Sequence, residues 1–356
     1  MHLCTSGIQH PEPTMKRGAK SPIVSIVLPF HNEAATLDEC LDSIQAQTFS
    51  DFELLAIDDA SDDQSVEMLE QRVRRDARIR LLHSPGRGVV SALNHGLSQA
   101  RSHLIARMDA DDIMHPDRLQ RQYDFLQANP MVALLGTQVR LFPESEVQAG
   151  YREYIRWQNS CLEPHDIAGD IYIESPFAHP TVMFRREVVQ ALGGYRQGPF
   201  PEDYDLWLRL HHAGHKLAKL PEILLDWRER PNRVSRIDSR CSREAFDRLR
   251  AHHLATDPQL VNRRNELVIW GAGRMTRKRC QHLLELGYQP QAWIDIDPCK
   301  IGNRLKGVPV MAPDWLEQNP RPFVLCYVAN HGARDLITEK LHSMGYKRGQ
   351  DYLMVG

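Results

Sequence analysis

The sequence lacks the features that mark membrane-spanning, secreted and nucleic-acid-binding proteins. No apolar run approaches the roughly 18 residues of a membrane-spanning helix. The seven cysteines are scattered and none is in C-x-x-C spacing, which predicts a reduced, cytoplasmic protein without a cysteine zinc site. A formal net charge of -2 over 356 residues gives no overall attraction to nucleic acid, so no nucleic-acid partner is expected.

Short apolar runs instead alternate regularly with amphipathic segments. Strands are predicted at 23–28, 52–57 and 104–108, and helices at 34–45 and 89–100. Strands that alternate with helices are typical of a mostly parallel sheet covered by helices on both faces. The predicted fold class is therefore α/β.

Shifts in composition divide the chain into four parts. Residues 1–20 are predicted to be a loose leader, 21–240 the main α/β domain, 241–265 a helical linker and 266–356 a small second α/β domain. Within the main domain, residues 136–180 have mixed composition and are predicted to be rich in loops, of the kind that shape a substrate pocket.

Three acidic clusters lie at the ends of apolar or helical segments. They are Asp58-Asp59, Asp109-Ala110-Asp111-Asp112 and Glu202-Asp203. The first two follow strands, and ligands of open α/β sheets bind at the carboxyl ends of strands. Carboxylates on alternate residues of an extended segment point the same way, so Asp109 and Asp111 are suited to Mg²⁺ or Mn²⁺. The alternative is that these aspartates cap a helix that starts near Pro116.

Four motifs occur in order between residues 23 and 230. They are Ile-Val-Leu-Pro-Phe-His-Asn-Glu at 26–33, Ala-Ile-Asp-Asp-Ala-Ser-Asp-Asp at 56–63, Ala-Arg-Met-Asp-Ala-Asp-Asp at 106–112, and Pro-Glu-Asp-Tyr-Asp-Leu-Trp-Leu-Arg at 201–209. With these motifs the chain resembles the inverting glycosyltransferases of family 2, which have the GT-A fold. Ala60 stands where that family usually has glycine.

The resemblance implies a role for each matching residue. Asp109 and Asp111 would hold the metal, with Asp111 as the direct ligand, and Asp203 would be the catalytic base. Residues expected to bind the donor are Pro29, Glu33, Asp58, Asp59 and Asp109.

Alternatives remain open around the predicted base. Asp203 also fits a helix cap, and Asp205 is a rival base two residues further on. Glu202 and His179 are further candidates on the acceptor side, although His179 equally fits a structural role.

The favoured function is a metal-dependent, inverting transfer of a sugar from a nucleoside diphosphate sugar to a hydroxyl of a glycan or lipid-linked acceptor, in surface polysaccharide biosynthesis. The alternatives are a non-catalytic regulatory protein that binds nucleotide sugars, and a sugar-phosphate nucleotidyltransferase. Arg228, Arg230 and Arg233 would either hold the diphosphate or form a basic surface. Peripheral contact with the inner face of the membrane is a hypothesis attached to the arginines of residues 228–240.

The second domain begins with a strand followed by Gly271-Ala272-Gly273, with Asp295 and Asp297 after the next strand. This arrangement resembles the start of a Rossmann-like nucleotide-binding unit, except that Thr276 replaces the third glycine. Gly271, Gly273 and Asp295 are therefore candidate nucleotide-binding residues. Self-association into a homo-oligomer through this domain is the alternative.

Overall fold

The computed structural model of the protein describes residues 21–231, 233–318, 321–328 and 332–356. The predicted leader at 1–20 lies outside the described residues. The described chain forms two sheets, of eight and six strands. The strands of the first sheet are β1 (Val24–Phe30), β2 (Phe52–Asp58), β3 (Ile79–His83), β4 (Leu104–Arg107), β5 (Ile113–Met114), β6 (Val132–Phe142), β7 (Met183–Arg185) and β8 (Lys216–Arg228).

Helices follow most of these strands and cover the sheet. Those before the second sheet are α1 (Leu37–Gln45), α2 (Ser65–Val73), α3 (Val89–Gln99), α4 (Arg118–Ala128), α5 (Ala149–Ser160), α6 (Pro164–Asp170), α7 (Arg186–Ala191), α8 (Glu202–His212), α9 (Val234–Ile237) and α10 (Arg243–Thr256). The predicted alternation of strand and helix is thus confirmed as an α/β fold.

The order of the strands creates a crevice beside β1. The sheet runs β3-β2-β1-β4-β7-β6-β8-β5, and β1 to β4 are parallel whereas β7 is antiparallel to both of its neighbours. The chain leaves β1 toward β2 on one side and later returns to β4 on the other. Such a switch point is where open α/β sheets bind ligands. The acidic motifs after β2 and β4 therefore open toward this crevice.

All seven residues of β1 are buried, because helices cover both faces of the sheet. The amphipathic pattern of α1 packs Leu37, Leu41 and Ile44 against one face with no exposure to solvent. On the other face, α3 packs close enough that a Cβ at Gly96 would lie 2.6 Å from a methyl group of Val27. Tight packing of this kind makes the strand ends a rigid base for the site.

The prediction that residues 136–180 are rich in loops is wrong. This stretch contains the second half of β6 and the helices α5 and α6. The apolar side of α5 is largely aromatic, with Tyr151, Tyr154 and Trp157 stacked in sequence, so it lacks the aliphatic periodicity of an ordinary helix.

The long strand β8 is equally hard to recognise from its composition. It contains Lys219, whose buried ammonium group donates to the carbonyls of Gln158 and Pro176. Burial lowers the pKa of this lysine to about 8. A lysine inside a strand normally indicates a solvent-facing position. The sequence pattern therefore does not identify β8 as a strand of the core.

The second sheet follows α10 and has the order β11-β12-β10-β9-β13-β14, parallel except for β11. Its elements are β9 (Leu267–Trp270), α11 (Arg274–Glu285), β10 (Ala292–Ile294), β11 (Arg304–Leu305), β12 (Val308–Met311), α12 (Trp315–Gln318), β13 (Phe323–Cys326), α13 (Ala333–Ser343) and β14 (Tyr352–Met354). One apolar cluster joins it to the first sheet, with Leu208 and Leu254 on one side and Leu283 and Val355 on the other. Among the residues that the structure describes, no helix has the length and apolarity needed to cross a membrane.

Candidate active site

Three carboxylates meet directly after β4. Oxygen atoms of Asp109, Asp111 and Asp112 all lie within 4.8 Å of one another. The segment is a turn and not the extended stretch that the sequence suggested, since the Asp112 N–H donates to the Asp109 carbonyl at 3.4 Å. This turn adds a third carboxylate to the two that alternation predicted.

Asp112 is the most buried member of this group, with 1% of its surface exposed. Burial and the charge of Asp111 raise the pKa of Asp112 well above its usual range. One of its oxygens, Oδ1, accepts the Arg228 N–H at 2.8 Å, whereas Oδ2 is buried without a hydrogen-bond partner among the described residues. A buried, unpaired carboxylate oxygen beside two further carboxylates fits a divalent cation with oxygen ligands.

The alternative role of these aspartates as helix caps does not agree with the structure. The nearest following helix, α4, begins at Arg118 after Asp117, and no side chain caps it. The short strand β5 separates this helix from the carboxylate group.

Arg230, in the segment after β8, bridges the predicted donor-binding residue Glu33 and the predicted metal ligand Asp111. Its guanidinium donates to Glu33 at 2.9 Å and also to Asp111. Burial and the charge of Asp111 raise the pKa of Glu33. This arrangement brings the loop after β1 and the turn after β4 to one place, as the family resemblance implied.

Asp203 lies in the first turn of α8, beside Glu202. Burial and the neighbouring Glu202 charge raise the pKa of Asp203 to about 7. Burial also raises the pKa of Glu202, whose carboxylate lies 3.4 Å from the Arg240 guanidinium. Among the described residues no side chain caps α8, and the Asp203 carboxylate accepts the adjacent Tyr204 N–H at 2.7 Å. Asp203 thus has the acidity of a group that exchanges protons near neutral pH.

Arg107, the last residue of β4, connects the two acidic groups. It is 4% exposed and pairs with Asp109. Its charge also acts on Asp203 and Glu202, where it opposes the rise in their pKa values. The charge of Arg107 therefore acts on both the metal motif and the predicted base.

The carboxylates after β2 are held by the chain itself. Asp58 accepts the Ser61 N–H at 2.9 Å and contacts His83 at 3.2 Å. Asp59 accepts the Gly88 N–H with both oxygens, at 2.9 Å. Both aspartates border the crevice and orient its loops, whereas Pro29 is buried within β1 opposite Ile57.

The side chains of two acceptor-side candidates, His179 and Asp205, are buried and contact other residues of the core. His179 is 8% exposed, contacts the Tyr195 hydroxyl at 3.0 Å and packs edge-on against Trp207. Burial lowers its pKa well below the usual range, so the ring is neutral. We therefore assign His179 to the core, which is the structural alternative that the sequence left open.

Asp205 is also turned away from the cleft. It is 3% exposed, with one oxygen 2.7 Å from Arg209 and the other 3.3 Å from His253 of α10. Burial alone would raise its pKa, but these two partners outweigh burial and the pKa is lowered. Asp203 therefore remains as the candidate base, and Asp205 holds α8 to α10.

The arginines between 228 and 240 do not form a free basic surface. All five pair with carboxylates of the protein. The pairs are Arg228 with Glu39, Arg230 with Glu33 and Asp111, Arg233 and Arg236 with Glu229, and Arg240 with Asp238 and Glu202. Neutralised charges give little attraction to an anionic membrane, so we do not propose a membrane-binding role for this stretch.

Sequence reasoning missed Asp112 and Arg107 as parts of the site. Both lie inside the motif at 106–112 that was recognised, but their orientation depends on the turn after β4. Arg230 was considered as a ligand of the diphosphate or as part of a basic surface. Its contacts with Glu33 and Asp111 join positions about 200 and 120 residues apart in the chain. Local patterns carry no signal for such contacts.

Open α/β sheets bind their ligands at a switch point of this kind, and grouped carboxylates there suit a divalent cation. The model of glycosyl transferase family 2 matches residues 25–193. The chain is 31% identical over 209 residues to the O-antigen biosynthesis glycosyltransferase WbnJ of Escherichia coli. This match covers 58% of this chain and 79% of WbnJ. It is 29% identical over 215 residues to the amylovoran biosynthesis glycosyltransferase AmsE of Erwinia amylovora, with 60% and 78% covered.

Among solved structures, the crystal structure of S. aureus TarS 1-349 in complex with UDP-GlcNAc has a similar fold. Its TM-score is 0.54 at 17% identity, over 66% of this chain and 67% of that chain. The protein belongs to glycosyl transferase family 2 and is a glycosyltransferase.

Proposed function

We propose that the protein is a metal-dependent, inverting glycosyltransferase that uses a nucleoside diphosphate sugar as donor. The observation that carries this proposal is the group of Asp109, Asp111 and Asp112 carboxylates, together with an Asp203 carboxylate of raised pKa that feels the same Arg107 charge. An acidic trio and a separate carboxylate of raised pKa support two distinct roles for the acids.

The acidic trio would hold Mg²⁺ or Mn²⁺ together with the donor. Its buried and unpaired Asp112 oxygen and the solvent-accessible Asp109 and Asp111 side chains suit a hard cation that also keeps phosphate and water ligands. A cation bound there neutralises the charge of a departing diphosphate. Glu33, which is joined to Asp111 by their shared partner Arg230, would contact the ribose.

Asp203 would act on the acceptor. Its carboxylate takes the proton of an acceptor hydroxyl while the hydroxyl oxygen bonds to the anomeric carbon. The bond from that carbon to the diphosphate oxygen breaks on the opposite face, and its electron pair leaves with the nucleoside diphosphate. The configuration at the anomeric carbon is therefore inverted.

The names of the relatives support a place in polysaccharide biosynthesis, since amylovoran and O-antigen are both named among them. The proposed acceptor is accordingly a glycan or a lipid-linked glycan. The domain division at 21–240, 241–265 and 266–356, a cytoplasmic location and homo-oligomerisation through the second sheet remain predictions.

The test is a panel of UDP-, GDP-, dTDP- and CMP-linked sugars with and without Mn²⁺. Binding is followed by thermal shift, because a ligand that binds only the folded state raises the melting temperature. Turnover is followed by release of free nucleotide with candidate acceptors.

We expect one donor to bind in a metal-dependent way and to release its nucleoside diphosphate. Asp203→Asn should then keep donor binding and lose turnover, while Asp111→Asn should lose metal-dependent binding. Release of pyrophosphate would identify a nucleotidyltransferase. Donor binding without nucleotide release in the presence of any acceptor would identify a regulatory protein. Either result would overturn the proposal.

A further inference from the structure

A cavity of about 730 Å³ opens at the carboxyl end of β9, in the second sheet. Ligand pockets commonly have volumes of about 300–1,000 Å³. All of its lining residues that the structure describes lie between positions 270 and 340, and none of these belongs to the acidic group of the first sheet. The glycosyltransferase chemistry described above makes no use of this cavity.

The floor of the cavity is a glycine turn that leads into α11. Gly271 has φ +112°, and a Cβ there would lie 2.8 Å from the Thr276 hydroxyl and 2.9 Å from a methyl group of Val328. Glycine is therefore required at 271. Thr276, which replaces the third glycine of the Rossmann-like pattern, fills the space behind the turn.

Gly273 has the opposite environment. It precedes α11 with φ -68°, a conformation open to any residue, and an added Cβ would meet no atom within 4 Å among the described residues. It lines the cavity, so this open space is the cavity itself. The absence of a side chain leaves the N–H groups at the start of a 12-residue helix accessible to a ligand.

Cationic side chains surround this helix start. Arg274 in the first turn of α11 is exposed, whereas Lys300 and Lys340, which also line the cavity, pair with carboxylates. Arg279 lines the cavity and is 8% exposed; its Nη1 donates to the Gly356 carbonyl at 3.1 Å, and its buried Nε has no hydrogen-bond partner among the described residues. A buried guanidinium with an unpaired N–H beside a helix N-terminus favours an anionic ligand.

The structure corrects the choice of the acidic residue after β10. Asp295 accepts the N–H groups of Ala272 at 2.8 Å and Asp297 at 3.0 Å, so it holds the glycine turn and is not free for a ligand. Asp297 lines the cavity, and its side chain is 40% exposed. Its Oδ1 accepts the Cys299 N–H at 3.0 Å and its Oδ2 lies 3.3 Å from the Lys300 ammonium group. Asp297 is the more exposed of the two acids, so it is the one that can accept a hydrogen bond from a ribose hydroxyl.

The mouth of the cavity is apolar. Met275, Ile296 and Leu336 all line it and are 56%, 75% and 67% exposed. Large exposed apolar side chains that gather at one opening mark a binding surface. Their flat, apolar surroundings suit the face of a nucleobase.

We propose that this cavity is a second nucleotide site, which binds a nucleoside diphosphate or its sugar ester. The phosphates lie at the start of α11 beside Arg274, and the ribose is oriented toward Asp297. The base packs against Met275, Ile296 and Leu336.

Binding here does not require a divalent cation. The two carboxylates of the cavity, Asp295 and Asp297, both lie within 3.3 Å of the Lys300 ammonium group. Lys300 thus offsets part of the charge of these carboxylates, and Arg274, Arg279 and the start of α11 supply positive charge, in contrast to the acidic trio after β4. This difference allows the two sites to be measured separately.

The experiment is isothermal titration calorimetry of the full chain in EDTA with ADP, CDP, GDP, UDP, dTDP and NAD⁺. Asp111→Asn is titrated in parallel to remove the metal-dependent cleft. We expect at least one nucleoside diphosphate to bind both proteins in EDTA with equal affinity.

Two variants and one matched control locate that binding. Gly273→Val places a side chain in the cavity, at a position where an added Cβ meets no described atom within 4 Å, and Arg274→Glu reverses a charge at the helix start. Each is expected to weaken binding about tenfold or more, equivalent to about 1.4 kcal/mol. Arg277→Glu makes the same charge change on the same helix outside the cavity and should leave affinity unchanged.

Melting temperatures of all variants establish that they are folded. The proposal is overturned if no nucleoside diphosphate binds in EDTA, if only NAD⁺ binds, or if Gly273→Val and Arg274→Glu bind as tightly as the wild type. Because the assay contains no metal or acceptor, these outcomes do not depend on the proposed transferase reaction.

Discussion

The raised pKa of Asp203 makes the proposed base testable by pH. Burial and the Glu202 charge place this pKa at about 7, against 3.8 for an ordinary aspartate. With that pKa, about 9% of the carboxylate is ionised at pH 6 and about 91% at pH 8. A base must be ionised to accept a proton, so we expect kcat/KM to rise about tenfold between these pH values.

Stability should change with pH in the opposite direction. The folded protein holds the Asp203 proton more tightly than the unfolded chain does. Between pH 4 and 7 the unfolded chain therefore loses this proton first, and the folded state is destabilised as the pH rises. The difference between 3.8 and about 7 corresponds to as much as about 4 kcal/mol above pH 7.

Asp203→Asn removes this penalty together with the base. We expect the variant to be more stable than the wild type at pH 8, to approach it near pH 4, and to lose about 10²- to 10⁴-fold in kcat with donor binding retained. Urea unfolding at several pH values and nucleotide release at saturating Mn²⁺ measure the two effects.

Asp205→Asn is the matched control on the same turn of α8. Its carboxylate is paired with Arg209 and His253, so its loss should destabilise the protein. Equal stability of Asp203→Asn and wild type across this pH range, or full activity of Asp203→Asn, would refute the assignment.

Two further predictions concern the loops around the cleft. Ala60 has φ +61°, so Ala60→Gly should raise the free energy of unfolding by about 1 kcal/mol, as measured by urea denaturation. Ala46→Gly, at φ -78°, is the control and should lower the free energy of unfolding. A lower free energy of unfolding in both variants would contradict this reasoning. Arg230→Ala leaves Asp111 and Glu33 to repel each other, so we expect a loss of about 1–3 kcal/mol and a larger thermal shift with Mn²⁺ than in wild type. A smaller Mn²⁺ shift would show that Arg230 does not compete with a cation for these acids.

The sequence was sufficient where a pattern is local. Continuous apolar runs predict buried strands such as β1 and β2, and a 3.6-residue periodicity predicts α1. The unusual Ala60 was also visible, since a position that usually holds glycine indicates a left-handed backbone.

Patterns failed where distant segments define the structure. The length of β6 depends on its pairing with β8, which lies about 85 residues later in the chain. The buried lysine in β8 makes that strand hard to recognise from its sequence. The aromatic face of α5 likewise packs without the aliphatic repeat that marks most helices.

For the site, too, some features follow from the sequence and others only from the tertiary structure. The sequence by itself determined which acids stand at the strand and helix ends, because motifs are contiguous and strand ends meet at one edge of a sheet. Only the tertiary structure decided their roles: the turn after β4 added Asp112, and α10 occupied Asp205 through His253. Burial and neighbouring charge, which raise the pKa of Asp203, arise only when the chain is folded.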